Sequence, residues 1–238
     1  MDAGERVDLE DVRHAPLAEN PFVQACVGEA IAGIKAQGAT IVDPVEIDTS
    51  KIGDPEFEVL LYEFKADLDR YLADLGERAP VKSLAEAIAF NDAHKDTVLP
   101  YFGQETFVKA QAKRPLTDKA YLDARAACLR YARKEGLDAA FDKHKLDAIV
   151  ATSGRPAWLI DLVNGDSGSG GSSRLCAVSG YPNVTVPAGW ARGLPLGISF
   201  MGRAWSEPTL IRLAYAFEQA TKVRRPPRFL PTASLAPT

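Results

Sequence analysis

The chain has 238 residues, 46% of them hydrophobic and 25% charged, enough to bury a sizeable core in one large domain or two small ones. Its formal net charge of -4 supplies no overall field that favours nucleic acid or an anionic membrane. Cys26, Cys128 and Cys176 are far apart and form no CxxC pair, so buried thiols are expected rather than a disulfide framework or a zinc site.

Residues 1–20 read as a polar N-terminal segment. It has neither the basic start nor the apolar core of a signal peptide, and no later apolar run approaches membrane-spanning length. A cytoplasmic protein with no membrane partner is the expectation. "NPFVQACVGEAIAGIKAQGA" then predicts a helix with Asn20 as N-cap and Pro21 at the first helical position. Val23, Val27, Ala30, Ile31 and Ile34 share one face, and Gly38 ends the helix. "ATIVDPVEI" suits a strand, with Pro44 arguing for an edge or a break.

"EFEVLLYEFKADLDRYLADLG" predicts a long amphipathic helix closed by Gly76. Ser83 with Glu86 three residues on forms a capping box for a third helix. A fourth covers Thr117 to Gly136, and "LDAAFDKHK" is a short fifth. Strand signals return at "LDAIVAT", "NVTVP" and "LPLGISFMG". A last helix follows from Ser206, with Leu210, Ile211, Ala214 and Phe217 inside. Residues 223–238 are too rich in proline for a regular helix and read as an extended tail.

Chemical signatures are sparse. His14, His94 and His144 fit no metal-ligand spacing. Asp67 with Asp69, and Glu56 with Glu58, are spaced so that they do not share a helix face. The arginines near the C-terminus read as a solvated tail. "GDSGSGGSSRLCAVSGYP" packs serines among glycines, yet it is neither a P-loop nor GxGxxG after a strand. Ser167 and Ser169 lack the strand-to-helix elbow that lifts a nucleophile. Ser172 or Ser173 could be a nucleophile if Lys82 or His144 served as its base, or the stretch could be an ordinary loop.

From about Leu146 onward the order of features resembles the C-terminal part of the amidase signature family. "LDAIVATSGRPAW" looks like that family's strand entering a substrate-side loop. The ending matches at Gly180, Pro182, Val186, Pro187, Ala188, Gly189, Leu194, Pro195 and Gly197. "AIAGIKAQGATIVDP" is similar to an earlier helix and strand of the family, and the glycine-serine run looks closest to the branch acting on peptide-amide-like substrates.

The resemblance implies an α/β fold, an α/β/α sandwich around a mixed sheet, with residues 21–222 forming the C-terminal part of an amidase-like domain. It implies hydrolysis of carbon-nitrogen amide bonds without a metal or organic cofactor. In the family a lysine activates a serine held by a cis peptide bond, which takes the proton of a nucleophilic serine. Backbone N–H groups hold the oxyanion. Those residues lie in the family's N-terminal half, and no position of this sequence matches them. The chain is therefore expected to be inactive alone, with no catalytic residue of its own. It would take a small-molecule or peptide amide only when the N-terminal half is supplied. Alternatively it is a noncatalytic partner of a separately encoded half or of another protein. By likeness to the family, Thr152, Ser153, Trp158 and Ser173 would face substrate. With about four strands, an exposed sheet edge and self-association are also expected.

Overall fold

Asn20 starts the first helix for a local reason: its Oδ1 accepts from the Phe22 and Val23 N–H groups at 3.1 and 3.2 Å, satisfying donors with no intrahelical partner. A computed structural model describes residues 6–10 as backbone, together with residues 20–165 and 171–229. Most of the expected polar N-terminal segment, Ser167, Ser169 and the last part of the Pro-rich tail lie outside the described residues.

In chain order the elements are β1 (Arg6–Glu10), α1 (Pro21–Ala36), β2 (Thr40–Val45), α2 (Gly53–Leu75), α3 (Leu84–Ala93), the single turn α4 (Lys95–Val98), α5 (Glu105–Gln111) and α6 (Lys119–Leu129). A π-helix (Arg130–Leu137) runs into α7 (Asp138–His144), followed by β3 (Ala148–Thr152), α8 (Ser173–Ser179), β4 (Asn183–Ala191), β5 (Leu194–Met201) and α9 (Glu207–Thr221). The chain divides into two units, one from residues 1–49 and 132–238, the other from residues 50–131.

The first unit holds a five-stranded mixed sheet in the order β2-β1-β3-β5-β4. β1 pairs in parallel with both β2 and β3, and the remaining pairs are antiparallel. No strand signal in the sequence marks residues 6–10. Their pairing partners begin at Thr40 and Ala148, so the strand is defined by distant neighbours. β2 lies at an edge, as Pro44 requires of a strand it interrupts. β4 runs past Pro187, where the expected strand stops. A register shift between Pro187 and Gly189 absorbs the proline, and pairing resumes at Gly189. Arg192 and Gly193, both at positive φ, form the two-residue turn into β5.

Because side chains alternate along a strand, Val150, Leu196, Ile198 and Phe200 share one face of this sheet. α1 and α9 cover that face, contributing Val23, Val27, Ile34, Leu213 and Phe217 to a continuous apolar core. Ile31 is half-buried and Ile211 exposed; Cys26 and Leu213 take the interior positions beside them. All three cysteines are buried, and none forms a disulfide. At Gly136 the helix does not end: the residue is buried inside the π-helix, away from the positive φ of a helix-terminating glycine.

The second unit is helical. Leu61, Leu84 and Ala110 join α2, α3 and α5 in one apolar cluster, with Phe64, Leu68, Ile88 and Phe107 against it. Ser83 caps α3 by accepting from the Glu86 N–H, and Glu86 reaches back to accept from the Lys82 N–H, as the capping box predicts. α5 is an addition to the sequence reading; at seven residues it is too short to show much periodicity.

Candidate functional site

The face of the sheet opposite α1 and α9 carries a cluster of hydroxyls. Thr185 on β4 is directly opposite Ser199 on β5, and their hydroxyl oxygens lie 2.9 Å apart. Ser153, one residue past β3, donates its N–H to the Gly197 carbonyl at 2.9 Å. Its Oγ is 2.9 Å from that of Ser199 and donates to Thr185 Oγ1 at 3.2 Å. The three hydroxyls close a ring in which each can donate once and still accept. Gly197 makes room for it: a Cβ there would stand 2.8 Å from Ser153 Oγ and 3.2 Å from Thr185 Cγ2.

The end of the glycine-serine stretch lies against the same place. Gly171, at φ +140, approaches β3's exit so closely that a Cβ would meet the Ser153 carbonyl at 2.9 Å and Gly154 Cα at 3.4 Å. Only glycine suits this conformation and this contact. The next residue, Ser172, is 6% exposed, and its buried Oγ has no hydrogen-bond partner among the described residues. Such groups are few in native structures, since a buried hydroxyl without a partner forfeits its hydration.

Thr152 is 7% exposed on the core side of β3, where it lines a small apolar cavity with Val27, Ala30, Val150 and Ile198. Ser153 belongs to the hydroxyl ring on the other face. Trp158 is 49% exposed in the loop that leaves β3. Ser173 is exposed at the first position of α8, a helix that composition conceals because a glycine-serine run precedes it. A readable signal was present: Gly180, at φ +72, terminates α8 by donating its N–H to the Cys176 carbonyl. Neither Ser172 nor Ser173 hydrogen-bonds to His144 among the described residues, and Lys82 belongs to the other unit. Within that unit Lys82 Nζ donates to the Gly76 and Ala79 carbonyls at 2.5 and 2.7 Å.

The corner that follows α8 is held by charge. Tyr181 donates to Asp138, Arg203 pairs with Asp138 and Asp142, and Arg133 Nε donates to the Ser179 carbonyl while its guanidinium lies over the Tyr181 ring. Burial first, and the Asp138 hydrogen bond second, push the Tyr181 phenol above its ordinary range. Among the described residues no group of three or more His, Cys, Asp or Glu side chains could hold a metal ion, and no helix is long and apolar enough to cross a membrane.

No family model matches the sequence. The chain is 36% identical over 208 residues to a protein of Arabidopsis thaliana named "Probable amidase", covering 84% of this chain and 37% of that protein. Among solved structures, a peptide amidase in complex with the competitive inhibitor chymostatin superposes with a TM-score of 0.86 at 45% identity. That match covers 95% of this chain and 45% of the peptide amidase. An amidase family protein from Bacillus anthracis superposes with a TM-score of 0.75 at 27% identity, covering 95% of this chain and 40% of that protein. The chain thus spans less than half the length of each of these proteins, and its α/β architecture is that of the two solved structures over that span.

Proposed function

The chain belongs to the amidase signature family, and from that premise we propose that it supplies the C-terminal portion of an enzyme that hydrolyses carbon-nitrogen amide bonds through an acyl-serine. The observation that carries this reading is the match to peptide amidase, in which 95% of the chain aligns at 45% identity while spanning 45% of that enzyme. On this reading the nucleophilic serine, the cis-serine and the lysine belong to sequence outside these 238 residues. The chemistry asks for no metal or organic cofactor.

This portion contributes sheet and pocket wall. Hydroxyls both donate and accept, and an amide offers both an N–H and a carbonyl, so a wall containing Ser153, Ser172 and Ser173 suits a peptide amide or a similar small amide. Thr152 backs that wall from the core side, and Trp158 offers an aromatic surface at its rim. The sheet edges at β2 and β4 give the chain a means of associating with the rest of the fold or with itself. A cytoplasmic location accords with this role.

The test compares release of ammonia from a peptide amide by the 238-residue chain alone and by the chain combined with an N-terminal amidase portion that carries the signature serines and lysine. The combined protein should release ammonia, a serine-directed inhibitor should stop it, and the chain alone should release none. Inhibitor-sensitive turnover by the chain alone overturns the reading, as does a folded but inactive combination.

A further inference from the structure

The half-buried cations among the described residues are paired, with one exception. Lys65 donates to two backbone carbonyls, Lys113 binds Glu58, Arg133 binds the Ser179 carbonyl, and Arg203 binds Asp138 and Asp142. Arg155, half-buried in the loop leaving β3, makes no hydrogen bond, ion pair or ring contact among the described residues. A guanidinium keeps its charge at every accessible pH and offers a planar fork of donors matched to a carboxylate. Partly desolvating that charge without a partner is unfavourable, so the position calls for an anion.

Among the described residues no carboxylate fills the role. Asp161, in the same loop, accepts from the Val163 and Asn164 N–H groups and from Asn164 Nδ2, each at 2.9 Å. It is committed to its own turn and forms no ion pair with Arg155. A second donor lies close by. Gly171 lies so close to Gly154 that a Cβ on it would stand 3.4 Å from the Gly154 Cα, and Arg155 and Ser172 each sit one Cα step, about 3.8 Å, beyond that approach. The unpaired guanidinium and the buried, unpartnered Ser172 hydroxyl therefore flank one junction. Both can donate to an acceptor-only group.

We propose that Arg155 and Ser172 form a carboxylate-binding subsite, so that the amide taken at this wall carries an acidic group. This rests on the amide-hydrolase reading above and narrows it from amides in general to acidic ones. Ser153 and Thr185, uncharged beside the subsite, remain available to the amide itself, with the buried Ser199 hydroxyl behind them.

The test needs no turnover. Binding of N-acetyl-aspartate amide and of its neutral isostere N-acetyl-asparagine amide to the 238-residue chain is followed by NMR titration. At low ionic strength the aspartate amide should bind about tenfold more tightly, because a charge-assisted bidentate contact replaces a neutral one. Arg155→Gln should erase that preference without lowering the melting temperature, since the guanidinium makes no hydrogen bond, ion pair or ring contact among the described residues. Arg155→Lys should keep part of it, and Ser172→Ala should weaken the aspartate amide alone. Equal binding of the two amides, absence of binding by both, a preference that survives in Arg155→Gln, or inorganic phosphate binding as tightly as the aspartate amide would each overturn the proposal. An acidic preference in a combination that hydrolyses nothing leaves the subsite standing while the hydrolase reading fails. Hydrolysis of neutral amides without that preference does the reverse.

Discussion

The phenol of Tyr181 donates to both carboxylate oxygens of Asp138, at 3.0 and 3.1 Å, and so fastens the corner after α8 to the start of α7. Arg203 adds a longer contact to the same carboxylate at 3.4 Å. Tyr181→Phe keeps the ring under Arg133 and removes only the hydroxyl. The expected loss is about 1.5–3 kcal/mol, the range for a hydrogen bond to a charged group, read from the urea midpoint with an unchanged m-value. An unchanged midpoint would show that Arg203 alone holds Asp138.

Gly189 faces Cys26 across the interface between β4 and α1. A Cβ at this position would lie 2.6 Å from the Cys26 Sγ, inside contact distance. Gly189→Ala should cost about 1–3 kcal/mol by overpacking. Cys26→Ala removes the obstructing sulfur, so the double variant should be more stable than the sum of the single effects predicts. Additive losses in that double-mutant cycle would locate the strain elsewhere.

The Tyr62 phenol donates to Asp118 Oδ2 at 2.8 Å, within the helical unit. That hydrogen bond is the main cause that lowers the Asp118 carboxyl and raises the Tyr62 phenol from their ordinary values. For the carboxyl, whose folded value is depressed, the stabilisation is complete above the unfolded value near 4 and disappears as pH falls through the folded one. For the phenol, whose folded value is raised, it is complete below the unfolded value near 10 and disappears as pH rises through the folded one. The difference in urea midpoint between wild type and Tyr62→Phe should therefore form a plateau at neutral pH and shrink in both acid and strong alkali. A pH-independent difference would contradict the pairing.

Burial raises the thiols of Cys26 and Cys128, with smaller contributions from Glu29 beside the first and from Glu56 and Glu63 beside the second. Cys176 is buried as well. Since the thiolate is the reactive form, Ellman's reagent at pH 8 should modify the native protein at least about tenfold more slowly than the urea-unfolded chain. Rapid labelling of even one thiol in native buffer would mark a locally open segment.

What was legible in the sequence was local. Asn20, Pro21, Ser83 with Glu86, and the apolar spacing of α1 act within one or two turns, and their elements form where they stand. β1 could not be read this way, because Arg6–Glu10 is a strand by virtue of β2 and β3 on either side. α8 was hidden by the composition in front of it, although Gly180 marked its end. Ser153, Thr185 and Ser199 meet only when three strands pair in register, and no spacing along the chain announces that. Arg155 gave no signal either, since the lack of a partner is a property of three-dimensional surroundings.

The helical unit is one uninterrupted stretch, residues 50–131, falling in sequence between the strands of the other unit. Its side-chain hydrogen bonds reach as far as the 58 residues between Glu63 and Tyr121, whereas the sheet must bring Val7 beside Ala148. Closing so large a loop is slow compared with the shorter-range association of the helices. During synthesis the inserted helices can settle before β3 has been made, while β1, with β2 on one side, still lacks its second neighbour. The hydroxyl ring needs β3, β4 and β5 together, which makes it among the last features of the molecule to assemble.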